Sequence, residues 1–137
     1  MSQAGQNQSG AVSLDLLSVG IVVLTISTAL IHFLLALSIG PPGLAPFPLL
    51  FYLNAIGYVV LLIAYFAPSL FRLRRPIRWL LTLYAALTFA LWFVLNKHHD
   101  AEGYLDKVLA IALIILLVVD DRRATQARSE LSPAQRR

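Results

Sequence analysis

The chain has 137 residues, of which 58% are hydrophobic and only 13% charged, and its mean hydropathy is +0.75. A soluble domain of this length has too much surface for its volume to hide that much apolar area, so composition excludes an ordinary water-borne fold and points to lipid as the solvent. Cysteine is absent, which excludes disulfides, iron–sulfur clusters, attached c-type haem and dithiol redox chemistry.

Residues 1–13, rich in Ser, Gln and Gly with no hydrophobic period, read as a disordered polar tail. The first membrane span is Leu16 to Ile39, free of charge, and it ends where Gly40-Pro41-Pro42-Gly43 stops a helix. It lacks the basic flank of a signal peptide and exceeds the usual apolar length of one, so it reads as a retained helix. The second span runs from about Phe47 to Ala67, with Pro48 suited to a first helical turn. The third runs from Pro76 to Leu95 and carries one charge, Arg78, close enough to its end to snorkel toward the headgroups.

The fourth segment is shorter. Its uninterrupted apolar stretch, Val108 to Val119, holds twelve residues, fewer than the roughly 20 that a spanning helix needs. A helix over 103–120 places Asp106 and Lys107 in its first turns, with Asp106 near the positive end of the helix dipole. That gives a short fourth span, with a re-entrant or interfacial helix as the alternative. Residues 122–137 read as a basic tail.

Orientation follows from lysine and arginine, which resist translocation. Arg72, Arg74, Arg75 and Arg78 flank the second loop, and Arg122, Arg123, Arg128, Arg136 and Arg137 lie in the tail, nine of the eleven basic residues. Lys97 and Lys107 alone fall at the third loop. Four spans then put both ends of the helical region on the cytoplasmic side of a plasma membrane. The resulting fold class is all-α, an integral membrane four-helix bundle running up-down-up-down, because short loops favour sequence neighbours side by side. Stripes of small residues should face its interior, Thr82, Ala86 and Ala90 in the third helix, Gly57 and Ala64 in the second, Gly20 and Ser27 in the first.

Polar side chains inside the hydrocarbon are costly and mark candidate sites. His32, Asn54, Thr88 and Trp92 fall in the outer half by residue count, and Tyr58 lies one turn below Asn54 on its face. Either they form a small pocket able to hydrogen-bond a quinone, a lipid headgroup, another small ligand or a cofactor, or His32 and Asn54 satisfy each other or a backbone carbonyl and hold two helices together. The loop Asn96-Lys97-His98-His99-Asp100-Ala101-Glu102 has metal-ligand residue types, but adjacent histidines diverge and no second cluster completes a shell, so no metal is expected. Haem b normally takes two histidines at membrane depth, and only His32 is there. No cofactor is expected. The basic residues Arg72, Arg74, Arg75, Arg122 and Arg123 are better suited to anionic lipid headgroups than to nucleic acid.

Ile31-His32-Phe33-Leu34, Leu91-Trp92-Phe93-Val94-Leu95-Asn96 and Leu105-Asp106-Lys107-Val108 give residues 14–121 a pattern that resembles an uncharacterised family of small four-span membrane proteins of archaea and chloroflexus-type bacteria. The resemblance implies a four-helix membrane fold, brings no activity with it, and adds Asn96, Asp106 and Lys107 to His32 and Trp92 as a group of candidate residues toward the outer side. Small multidrug exporters need an acidic residue in the first span, absent here, and small fluoride channels lack so strong a charge bias between sides. What remains is an accessory or interaction subunit within a larger membrane complex or homo-oligomer, a ligand-binding protein, or an oligomeric transporter or channel. An enzyme is not expected, because no nucleophile–base pair, carboxylate pair or phosphate loop can be assembled.

Overall fold

The computed structural model describes residues 15–40, 46–95 and 101–131. The expected polar tail 1–13, Asn96, His98, His99 and Asp100 lie outside the described residues, as do residues 41–45 and 132–137.

The described chain is all-helical: α1 (Leu16–Ile39), α2 (Pro46–Phe66), α3 (Arg74–Leu95) and α4 (Ala101–Leu131), with a 3-10 turn (Pro68–Leu73) between α2 and α3. Each boundary has a local cause. Gly40 closes α1 at φ 141°, a backbone conformation natural to glycine, and its N–H bonds back to the Ala36 carbonyl. Pro68 ends α2 and opens the 3-10 turn. Pro76 sits in the first turn of α3, where its missing N–H costs nothing. α4 continues through Asp120 and Asp121 to Leu131 instead of ending near residue 120. Its last ten residues are mostly good helix formers, and no proline or glycine interrupts them.

Three helical segments, Leu16–Ile39, Pro48–Phe66 and Pro68–Val94, are long and apolar enough to cross a membrane. α4 falls short of that standard because Asp106 and Lys107 interrupt its apolar run. α1 packs on α2 and α4, and α3 packs on α4 and α2, so every helix has two neighbours. The core between them holds Ile21, Tyr58, Leu62, Leu81, Ala85, Leu113 and Leu117.

The polarity of the assembly is inverted relative to a soluble protein. Thr25, Thr28, His32, Arg78, Thr82, Asp106 and Lys107 are buried, while Val23, Leu30, Leu34, Ile56, Ile63, Leu83, Leu87 and Val108 are all more than half exposed. On α1 the buried set Ile21, Thr25, Thr28, Ala29, His32 and Ala36 keeps the helical period and gathers the polar residues on one face. Thr25 and Thr82 satisfy their hydroxyls on the carbonyls of Ile21 and Arg78, one turn back, at 2.7 and 2.9 Å.

The small-residue stripes need correction in α3. Thr82 is buried, but Ala86 and Ala90 are exposed and Ala85 faces inward instead. Arg78, Leu81, Thr82 and Ala85 set the phase of the helix, which turns Ala86 about 100° away from the interior. Gly57 and Gly20 do mark close approaches. A Cβ at Gly57 would lie 2.2 Å from Tyr84 Oη and 2.6 Å from its Cζ, on a rigid ring. At Gly20 the obstacle is Leu116 Cδ1 at 2.8 Å, the end of a side chain that can rotate away. Gly57→Ala should therefore lower stability in mild detergent by about 1–3 kcal/mol, and Gly20→Ala by less than about 1. Thermal unfolding of the two variants beside the parent checks the ranking.

Candidate functional site

The polar residues expected in the outer half divide between a central cluster and its flank. His32, late in α1, is 5% exposed. Its Nδ1 lies 2.9 Å from the Thr28 carbonyl, which can only accept, so Nδ1 carries the proton. The same atom is 3.6 Å from Asp106 Oδ1. The other oxygen, Oδ2, accepts a 2.7 Å hydrogen bond from Lys107 Nζ. Both Asp106 and Lys107 are buried, at 3% and 5% exposure. The imidazole packs between the rings of Phe51 and Tyr58, with centroids 5.8 and 6.0 Å away. An aspartate therefore stands across from an imidazole and beside an ammonium in an apolar surround, a setting in which each charge is tolerable only because the others are there.

Two further residues extend the cluster. Thr88 donates to the Ala85 carbonyl at 3.0 Å, so its oxygen accepts from Tyr58, 2.8 Å away, and the phenol proton is spent on α3. Lys107 Nζ lies 5.7 Å from the Trp92 ring, a cation–π contact. Trp92 also packs edge-to-face on Tyr104, and its indole lies against Gly103, where a Cβ would come within 2.7 Å of Nε1. Gly103 is thus the backbone seat that lets α3 and α4 approach at this level.

Asn54 stands apart. Its Oδ1 is shielded from solvent without a hydrogen-bond partner among the described residues, and its backbone carbonyl accepts from Tyr84 Oη at 3.3 Å. What crosses from α1 at this depth is the contact of His32 with Asp106, not one with Asn54. Asp106 Oδ1 is likewise shielded and without a hydrogen bond. An apolar groove of about 300 Å³ lies nearby, between Ile31, Leu34, Leu35 and Ser38 of α1 and Leu105 of α4. Asn96 lies outside the described residues. Among the described residues, no group of three or more His, Asp or Glu side chains gathers as metal ligands.

A second polar cluster, at the opposite end, was not legible in the sequence. Arg78 does not snorkel outward; it is 5% exposed and pairs across to α4. Its Nη2 donates to Asp120 Oδ2 at 2.6 Å and its Nη1 to Asp121 Oδ1 at 2.7 Å. The Tyr65 hydroxyl also donates to Asp120 Oδ2. Arg74 stacks on the Tyr65 ring with Cζ 4.9 Å from its centroid, and Arg75 Nε is 3.9 Å from Asp121. Arg123 reaches Asp15 at 3.3 Å, both half exposed. Arg72 and Arg122 are exposed. The signal that points to this cluster is the acidic pair Asp120-Asp121 at the basic end of the chain, where local pairing with Arg122 and Arg123 is the simpler reading.

No known family, curated protein or solved structure matches the chain.

The buried pair yields a direct test. Asp106→Ala leaves the Lys107 ammonium without its carboxylate, which should cost about 3–5 kcal/mol, whereas Asp106→Leu with Lys107→Met removes both charges and should cost much less. Unfolding of the single and double variants in mild detergent measures the difference, and equal losses would mean the pair is not formed.

Proposed function

We propose that this chain is a multi-pass integral membrane protein of the plasma membrane in which all four helices cross as an up-down-up-down bundle, and that it serves as an accessory or interaction subunit with no chemistry of its own. The observation that carries the reading is the inverted polarity, with ionisable groups inside and large aliphatic side chains outside. In water that exterior would be a continuous aggregation surface; in lipid it is the surface the solvent requires.

The reading of α4 as a fourth span is supported by where its charges point. Asp106 and Lys107 face the interior, so the outer face of the helix presents Tyr104, Leu105, Val108, Ile111 and Ile115. Alternating direction is supported by depth. Arg78 and Trp92 on α3 contact Asp121 and Lys107 on α4, and the two residues of each helix are separated by about 21 Å at about 1.5 Å per residue, as antiparallel neighbours require. The charge bias then assigns the Arg78 end to the cytoplasm. The accessory role is supported by how the polar groups are used. At one end Tyr58 of α2 bonds Thr88 of α3 and His32 of α1 stands 3.6 Å from Asp106 of α4; at the other Tyr65, Arg78, Asp120 and Asp121 bond across α2, α3 and α4.

A second reading, binding of a small ligand, quinone or cofactor in the outer half, is favoured by the shielded, unbonded Asp106 Oδ1. The two readings separate on purification in mild detergent followed by mass spectrometry. The accessory role predicts a stoichiometric partner chain. A chain that elutes alone, holding a small molecule that Asp106→Asn releases, would replace it with the second reading. Topology is tested on the same material, since the absence of native cysteine gives single-cysteine variants no background. Ser69→Cys should react with an impermeant maleimide only from the cytoplasmic side, and Lys97→Cys only from outside.

A further inference from the structure

At the cytoplasmic end assigned above, a cleft of about 190 Å³ opens between the 3-10 turn, the start of α3 and the last part of α4. Phe71, Arg74, Arg75 and Arg78 line one side, and Asp121 and Thr125 the other. We infer that this cleft binds the phosphate of an anionic phospholipid headgroup, with Arg74 and Arg75 as its donors and Phe71 against the start of the acyl chains.

The charge inventory favours an anion. Arg78 pairs with the carboxylates of Asp120 and Asp121, one with each terminal nitrogen. Asp121 lines the cleft, but Arg78 neutralises it at 2.7 Å, and the Thr125 hydroxyl is turned to the Asp121 backbone carbonyl at 2.9 Å. Two guanidinium groups are left in excess. Arg75 has only a 3.9 Å contact to Asp121, and its side chain is 59% exposed. Arg74 Nε is shielded from solvent and has no hydrogen-bond partner among the described residues. A guanidinium presents a planar fork of donors that matches phosphate oxygens two at a time.

The site is also held in shape before anything binds. Arg74 lies over the Tyr65 ring at 4.9 Å, and Tyr65 is itself tied to Asp120. Arg78 is buried and doubly paired. Side chains already ordered lose little further freedom on binding. The choice of a lipid over a free phosphate rests on Phe71. It lines the cleft and is 70% exposed, and Leu73 and Trp79 of the same stretch of chain are exposed as well. An apolar ring in that position suits the junction between headgroup and acyl chains and offers a soluble phosphate nothing.

The inference rests on the membrane reading for the ligand's identity but not for the test. Native mass spectrometry of the full chain in mild detergent would be run with added phosphatidylglycerol, phosphatidylcholine or inorganic phosphate. Arg74→Gln with Arg75→Gln should reduce retained phosphatidylglycerol by about ten-fold or more. Arg136→Gln with Arg137→Gln removes the same charge from the C-terminal tail, and should leave retention within about two-fold. Arg75→Gln alone, on an exposed side chain that does not bear on folding, should give part of the loss. Phe71→Ser should weaken lipid retention further.

Equal losses in the two double variants would reduce the effect to general surface charge and overturn the site. Retention unchanged in all variants would do the same. Displacement of phosphatidylglycerol by equimolar inorganic phosphate would make this a site for the free anion and overturn the lipid assignment. Labelling of Ser69→Cys from outside would instead remove the cytoplasmic assignment while leaving the comparison of arginine pairs intact.

Discussion

Asp106 and Lys107 occupy an otherwise apolar helix because each offsets the other's charge and both turn away from the exterior. In the proposed fourth span the twelve apolar residues Val108 to Val119 would contribute roughly −5 kcal/mol toward insertion, at about −0.3 to −0.6 kcal/mol for each large aliphatic side chain, and unpaired charges would oppose it by up to about 2.5 to 3.5 kcal/mol each, the figure for a helix centre, which falls toward the end where Asp106 and Lys107 lie. The 2.7 Å bond between the two side chains and the imidazole across from them would lower that opposition further. α4 is therefore a helix that needs its neighbours, and the packing of α1 and α3 around its first turns is what admits it to the assembly.

The same economy governs both ends. At one end His32, Tyr58, Thr88 and Asp106 bring one residue from each helix together, and their hydrogen bonds run either within a helix or to a neighbour. At the other end Tyr65, Arg78, Asp120 and Asp121 do so for α2, α3 and α4. In the membrane setting proposed above, hydrocarbon would supply no alternative partners, so a polar group left unbonded would have nowhere to turn. That makes both clusters sensitive to the loss of a single member and insensitive to the detail of the apolar residues between them. The Arg78 cluster spends Asp120 and Asp121 on one buried arginine, and the arginines that remain are the surplus from which the lipid inference is drawn. The unbonded oxygens of Asp106, Asn54 and Thr28 are the corresponding surplus toward the other end, and those of Asp106 and Asn54 carry the ligand reading.

Three of the helices are readable from sequence because an apolar run of membrane length, with Arg78 as the single charge among the three, is a strong and local signal, and Gly40-Pro41 and Pro68-Ser69 stop the first two. Which way each helix faces is not local. Ala86 and Ala90 repeat every four residues as an inward stripe would, yet the inward face of α3 is set by Arg78, whose partners lie on α4, far along the chain. Without those partners Arg78 reads as a residue that reaches for the headgroups, and Asp120-Asp121 as one that pairs with Arg122 and Arg123. His32 stands out as a lone ionisable group in a long apolar run, whereas Asp106 and Lys107 read as a helix start until the fold turns them toward α1 and α3. Periodicity gives the elements, and charge pairing across the fold gives their rotation.

The claim that matters most is that the exposed face of α4 meets hydrocarbon, and it can be measured without knowing any partner or ligand. Nitroxide labels placed singly at Leu105, Val108, Ile111 and Ile115 in the protein reconstituted into liposomes report collision with apolar oxygen and with a water-soluble nickel chelate. The four-span account predicts high oxygen and low nickel accessibility at all of them, with oxygen accessibility rising toward the middle of the set. High nickel accessibility at Val108 and Ile111 would place that face in water and contradict it.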